Sequence, residues 1–108
     1  MRRISAAIFG VGAAMTIAAA AGCAKLPPPT PLVYQAHCAQ CHNDRTNDSL
    51  HGQSLRGIFK KQYLASGAPA NDDRVMDAVL YGRAMMPALG STMTPQERAD
   101  LMAYLHTL

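Results

Sequence analysis

The chain has 108 residues, which is room for one domain, and 49% of them are hydrophobic. It carries 10 basic and 7 acidic side chains, a formal net charge of +3 with histidines neutral. No run of basic residues is interleaved with aromatics, so the charge does not indicate nucleic-acid binding, and no nucleic-acid partner is expected.

Residues 1–22 have the pattern of an export signal, because Arg2 and Arg3 precede a long apolar run rich in alanine. The run barely reaches spanning length, so a cleaved signal is favoured over a retained transmembrane helix. Removing the two arginines leaves eight basic against seven acidic side chains. The high sequence pI of about 9.0 is therefore partly an effect of the signal.

The stretch Ala20-Ala21-Gly22-Cys23 resembles a bacterial lipobox, in which the cysteine receives a diacylglycerol and becomes the new N-terminus. The first position of a lipobox is usually Leu, and here it is Ala20. The chain has three cysteines, so at least one has no partner for a disulfide within the chain. Lipidation of Cys23 would account for this unpaired cysteine and would anchor the chain to a membrane. The alternative is cleavage by the ordinary signal peptidase, which leaves a free or dimerising thiol. We expect a lipid anchor on the periplasmic side of a bacterial membrane, and the lack of Asp at position 24 favours the outer membrane.

The segment 23–31 that follows contains four prolines and is expected to be a tether. Proline cannot occupy the interior of a helix or sheet, and such segments favour the polyproline II conformation. Eight residues in that conformation span roughly 25 Å, at about 3.1 Å per residue. We expect this segment to hold a domain of residues 32–108 away from the membrane surface.

Residues 32–108 contain no convincing alternating strand, so an all-α domain is predicted. A first helix is expected over residues 32–41, a loop over 43–52, and a short helical turn around Leu55, Ile58 and Phe59. A further helix begins at Asn71 or Asp72 and stops at Gly82. The last helix begins with Thr94-Pro95-Gln96-Glu97, a capping box with proline at the first helical position.

The motif Cys38-Ala39-Gln40-Cys41-His42 is the attachment signature of c-type haem. Positions i, i+3 and i+4 share one face of a helix, so both thiols can form thioethers with one haem edge while His42 reaches the iron. A zinc site would need two further ligands, and a thioredoxin-like site would need a preceding strand. A disulfide between Cys38 and Cys41 is the remaining alternative.

A single histidine leaves one axial position of the iron open, and Met86 is the residue expected to fill it. Methionine is the soft ligand usually paired with histidine in electron-transfer haems. Pro87 follows Met86 and disfavours helical geometry there, which places Met86 in an extended loop. The other candidates are Met85, Met93, His51 and His106.

Four segments in this order resemble the class I cytochromes c over residues 32–108. They are Tyr34-x-x-x-Cys38-x-x-Cys41-His42, Gly52-Gln53-Ser54-Leu55-Arg56-Gly57-Ile58-Phe59, Gly82-Arg83-Ala84-Met85-Met86-Pro87, and residues 97–105. The resemblance implies three to five short helices wrapped around one covalent haem c.

The resemblance also implies roles for single residues. Tyr34 and Tyr104 would meet where the first and last helices cross, and Lys61 would contact a haem propionate. Gln53 replaces a proline whose carbonyl accepts a hydrogen bond from the ligand histidine, and any residue supplies that carbonyl. The pocket would be lined by Leu55, Ile58, Val79, Leu101 and Leu105.

A six-coordinate iron has no position for substrate, so the expected function is single-electron transfer with redox partner proteins as donor and acceptor, and not catalysis. Partners would dock at the haem edge beside Cys38 and Cys41. Two alternatives stay open. One is a haem enzyme or gas or redox sensor with a labile sixth ligand, and the other is a fixed cytochrome subunit of a membrane dehydrogenase or oxidase.

Overall fold

The computed structural model describes residues 12, 22, 26 and 28–108. These residues form three α-helices and one short 3-10 helix, and the described part of the chain contains no β-strand. The all-α prediction is therefore confirmed. The helices are α1 (Leu32–His37), the 3-10 helix (Ile58–Lys60), α2 (Asp72–Tyr81) and α3 (Pro95–Leu105).

Most of the predicted signal, together with Cys23, lies outside the described residues. Among the residues that are described, no helix has the length and apolar character needed to cross a membrane. The predicted division at residues 22 and 31 therefore stays a prediction.

Helix α1 is shorter than predicted, because it ends at His37 and not at Cys41. The Tyr34 carbonyl accepts hydrogen bonds from the backbone N–H of both Cys38 (2.9 Å) and Ala39 (3.0 Å), and the regular ladder stops there. Cys41 and His42 then donate to the Cys38 carbonyl at 3.0 and 2.9 Å. The two cysteines and the histidine therefore lie on a turn that follows α1. This turn has helix-like hydrogen bonds, so the three side chains keep the spacing that the motif analysis assumed.

The predicted starts of α2 and α3 are confirmed, since both helices are capped by side chains. The Asn71 side chain accepts a hydrogen bond from Arg74 N–H, and α2 stops at Gly82, whose φ is 70°. Thr94 and Glu97 form the reciprocal capping box, with Pro95 in the first turn of α3. Such caps satisfy backbone donors that have no partner inside the helix.

Helices α1 and α3 cross at Tyr34 and Tyr104, as expected. The two rings pack edge to face with their centroids 5.3 Å apart. Tyr34 is 1% exposed, and Leu101 on α3 is completely buried, so both helices contribute fully buried side chains to the core. The buried apolar residues are Val33, Tyr34, Cys38, Ile58, Val75, Val79, Met93, Leu101, Tyr104 and Leu105.

A ring of polar contacts closes the outer side of this crossing. The Tyr104 hydroxyl donates to Asp44 and is 3.1 Å from the Thr30 hydroxyl. Arg45 donates to Thr30 at 2.9 Å and lies 3.8 Å from the Asp44 carboxylate. Burial and the hydrogen bond to Asp44 raise the pKa of Tyr104, so the hydroxyl stays a donor. The ring fixes residue 30, where the proline-rich segment joins the domain.

Candidate functional site

The His42 imidazole is fixed by a hydrogen bond between its Nδ1 and the Gln53 carbonyl, 2.7 Å long. A carbonyl only accepts, so Nδ1 carries the proton and Nε2 keeps its lone pair. Tyr34 also donates to the His42 backbone carbonyl at 3.0 Å. The predicted carbonyl contact is present with Gln53 in place of proline. The arrangement presents Nε2 as a metal ligand of defined tautomer.

Gly52 makes room for this imidazole. A Cβ built at position 52 would lie 2.5 Å from His42 Cε1 and 2.8 Å from Nδ1. The Gly52 N–H also donates to the Cys41 carbonyl at 2.7 Å, which brings the two segments together. Any side chain at this position would have to push the ring out of place. Sequence reasoning quoted Gly52 within a family segment and missed this contact, because it joins residues ten apart.

The two thiols of the motif are present as free cysteines, with Cys38 buried and Cys41 partly buried. The alternative of a disulfide between them is not realised. Burial raises the pKa of the Cys38 thiol to about 11, and the nearby Cys41 adds to the rise. Nowhere in residues 28–108 do three or more His, Cys, Asp or Glu side chains form a group able to hold a metal ion.

A cleft opens beside the motif and has two parts. The inner part, about 90 Å³, lies within the core, and the outer part, about 500 Å³, leads to the surface. Cys38, His42 and Met86 line both parts. The five predicted pocket residues all line the inner part. Leu64, Val75 and Ala78 line it too. Val75 and Ala78 lie on α2, whereas Leu64 lies in a loop whose residues show no periodic pattern from which its burial could be predicted.

Met86 reaches the cleft from a tight turn formed by residues 83–86, which we call the 83–86 turn. Arg83 and Met86 bond to each other twice through their backbones, at 3.1 and 2.9 Å. Both methionines line the outer part of the cleft, but only Met86, which is half-buried, also lines the inner part, and Met85 at the tip is 96% exposed. Gly82 allows this fold-back, because a Cβ there would lie 2.5 Å from the Met86 carbonyl oxygen. The geometry therefore favours Met86 over Met85 as the residue facing the cleft.

Of the other candidate ligands, Met93 and His106 lie away from the cleft, and His51 lines only its outer part. Met93 is buried in the core and does not line the cleft. His106 stacks on Phe59 with ring centroids 3.9 Å apart, and its Nε2 is 2.7 Å from the Asp72 carboxylate. His51 lines the outer part of the cleft. Lys61 is exposed and is absent from both linings, so its proposed propionate contact has no support here.

The residues present fit a covalent haem. The inner lining is apolar, as a macrocycle needs, and the outer volume is in the range of cofactor sites. Cys38 and Cys41 are available for two thioether bonds, and His42 offers a free Nε2 beside them. Haem would be held by these three residues, with Met86 across the cleft.

Substitution Gly52→Ala tests the fixed imidazole. The added methyl group displaces His42 from its bond to Gln53, so we expect the haem content of the purified protein to fall about tenfold. Haem per protein is measured from the absorbance of the pyridine complex. Gln53→Ala is the matched control, since it keeps the backbone carbonyl and should retain haem. Normal haem content in Gly52→Ala would contradict this account of the site.

Comparisons with known proteins agree with the site. Residues 31–105 match the family model described as "Cytochrome C oxidase, cbb3-type, subunit III". Cytochrome c6 of Picosynechococcus sp. is 30% identical over 76 residues, and the match covers 68% of this chain and 65% of that protein, just under two thirds of its length. Cytochrome c6 of Tetradesmus obliquus is 30% identical over 73 residues, covering 68% and 80% of the two chains. Cytochrome c of Sesamum indicum is 33% identical over 92 residues, covering 68% and 81%.

No solved structure matches the chain with significance. The family model nevertheless spans the whole helical domain, from the residue before α1 to the last residue of α3. The chain therefore belongs to the cytochrome c family, and its single Cys-x-x-Cys-His motif corresponds to one covalently bound haem c.

Proposed function

We propose that this chain is a single-electron carrier in which His42 and Met86 are the two axial ligands of one haem c. The observation that carries the proposal is the convergence of the two cysteines, His42 and Met86 on a single cleft. When bound, the haem supplies the one-electron couple of its iron. The protein supplies the two attachment thiols, an imidazole of fixed tautomer, a thioether ligand and an apolar lining.

Ligation by both residues argues for electron transfer over catalysis. With His42 on one side and Met86 on the other, no position remains for a substrate. Methionine opposite histidine also raises the reduction potential relative to harder ligands. The apolar inner lining excludes water, and burial adds to the same effect.

The mouth of the cleft is the proposed docking site for redox partners. Its lining contains His37, His51 and Arg83, and no Asp or Glu is among the described residues that form it. Residues 28–108 as a whole carry seven basic and seven acidic side chains. The local charge at the mouth is therefore more positive than that of the domain, which favours partners with carboxylates around their own electron-transfer site. Such encounters are typically small and weak.

We further propose that the domain is tethered to a bacterial membrane through a lipid on Cys23, on the periplasmic side. The supporting observations are the export-type residues 1–22, the lipobox-like stretch before Cys23 and the proline-rich segment 23–31. A diacylglycerol supplies two acyl chains, which hold a protein stably at a membrane, whereas a single chain binds only reversibly.

A second candidate function is that of a fixed subunit in an oxidase or dehydrogenase complex. The description of the matching family model names a subunit of a cytochrome oxidase, and this favours a fixed subunit over a haem enzyme as the second candidate. Gentle solubilisation of membranes separates the two functions. A carrier leaves the membrane fraction as a small particle, whereas a fixed subunit co-purifies in constant ratio with larger haem proteins.

The ligand pair is tested by the weak far-red absorption band that ferric haem shows when a thioether sulfur is bound. We expect the band in the oxidised parent protein and in Met85→Ala, because Met85 points to solvent. Met86→Ala should lose the band and give a high-spin spectrum. A parent protein that lacks the band and has a high-spin spectrum would have an open iron site and would shift the assignment to an enzyme or sensor.

The positive mouth is tested by the rate at which ferricyanide, a trivalent anion, oxidises the reduced protein. Arg83→Gln should lower the rate at low ionic strength by about two- to fivefold, and added salt should remove the difference. Arg56→Gln removes the same charge beside a separate cavity lined by Pro28, Tyr104 and Leu108, so it should have a smaller effect. Equal rates in the two variants would contradict the proposed electron exit.

The lipid anchor is tested by labelling growing cells with radioactive palmitate. The full chain should be labelled and found in the membrane fraction, whereas Cys23→Ser should be unlabelled, because the thiol that accepts the lipid is gone. Ala24→Ser is the matched control and should keep the label. An unlabelled parent protein would mean cleavage by the ordinary signal peptidase.

A further inference from the structure

The 83–86 turn contains a strained residue. Ala84 has a φ of 51° and is the only residue other than glycine with positive φ in the described part of the chain. The left-handed region brings Cβ too close to the following carbonyl oxygen in L-residues, and glycine avoids that cost. Strain of this kind persists only where surrounding contacts maintain it, and it is concentrated at functional sites.

Backbone contacts keep Ala84 in this conformation. The two hydrogen bonds between Arg83 and Met86 close the turn around Ala84 and Met85. Behind the turn, the chain is attached to α2, because Leu89 N–H donates to the Val79 carbonyl at 2.9 Å. Met86 is therefore presented to the cleft only while the turn stays closed and Ala84 stays left-handed.

The turn lies at the surface, and only Met86 of its four residues packs against the core. Arg83, Ala84 and Met85 are all exposed, and Met85 packs against little. Met86 is only half-buried. Opening the turn would break two hydrogen bonds at the surface, where water replaces them at small net cost, and would release the strain at Ala84.

We propose that Ala84 is a positioning residue whose strain makes Met86 a displaceable ligand. The strain is present while Met86 faces the iron and is relieved when Met86 leaves, so it shifts the equilibrium towards the displaced form. A small neutral nitrogen donor entering from the outer part of the cleft then competes with Met86. The inference rests on the proposed ligation by Met86.

The test is the affinity of the oxidised full-chain holoprotein for imidazole, followed by loss of the far-red band. Ala84→Gly removes the strain and should lower the affinity about three- to tenfold. Ala84→Asn, whose side chain tolerates the left-handed region, should lower it less. Ala84→Val is more strained and should raise it.

A matched control separates strain from chain flexibility. Ala88→Gly lies in the same loop but at a position without positive φ, so it relieves no strain. It increases only the backbone entropy of the form in which Met86 has left the iron. Its imidazole affinity should stay equal to the parent value or rise. If Ala84→Val fails to fold, the Gly and Asn variants still carry the comparison.

The outcomes separate this inference from the proposed function. A parent protein without the far-red band overturns ligation by Met86, and the inference with it. A normal band with equal imidazole affinity in the parent, Ala84→Gly and Ala84→Asn overturns the inference alone. A decrease in Ala84→Gly that Ala88→Gly does not share supports it.

Discussion

The hydrogen bond from His42 Nδ1 to the Gln53 carbonyl joins the turn that carries both cysteines to the loop that follows it. Its 2.7 Å length requires the two backbones to approach closely, and only the missing side chain of Gly52 leaves space for the ring. Because the bond also sets the tautomer, the chain determines which imidazole nitrogen faces the cleft. The apolar lining and the proposed ligand Met86 can serve a haem only once this nitrogen is in place.

The two sides of the cleft differ in how firmly they are built. On the His42 side, the backbone is bonded to Tyr34, which is buried in the crossing of α1 and α3. On the Met86 side, the chain is held by backbone bonds of an exposed turn, one residue of which is strained. Displacing His42 would strain the hydrogen bond to the buried Tyr34, whereas displacing Met86 would remove only a half-buried side chain from the edge of the core. A carrier and a ligand-responsive haem protein could thus share this fold and differ by the stability of one turn.

The sequence predicted those features that depend on local signals. The caps at Asn71 and Thr94, the stop at Gly82 and the haem motif each need only a few neighbouring residues. The predicted end of α1 was wrong. The regular helical hydrogen bonds stop where Cys38 and Ala39 both donate to the Tyr34 carbonyl, and no glycine or proline marks that point in the sequence. The contact of Gly52 with His42 and the left-handed Ala84 were also missed. The Gly52 contact depends on how two separate backbone segments meet. The conformation of Ala84 belongs to a local turn, but an alanine gives no indication of positive φ.

The polar ring at the helix crossing bears on how a tethered domain would be presented. Thr30 lies two residues before the start of α1, and its hydroxyl is hydrogen-bonded to Tyr104 and Arg45. The neighbouring Pro28 lines a cavity that shares no residue with the cleft. The proline-rich segment therefore joins the domain at a surface separate from the proposed docking site. A lipid on Cys23 would accordingly leave the mouth of the cleft free for partners, and a carrier needs this because it must dock to a donor and an acceptor in turn.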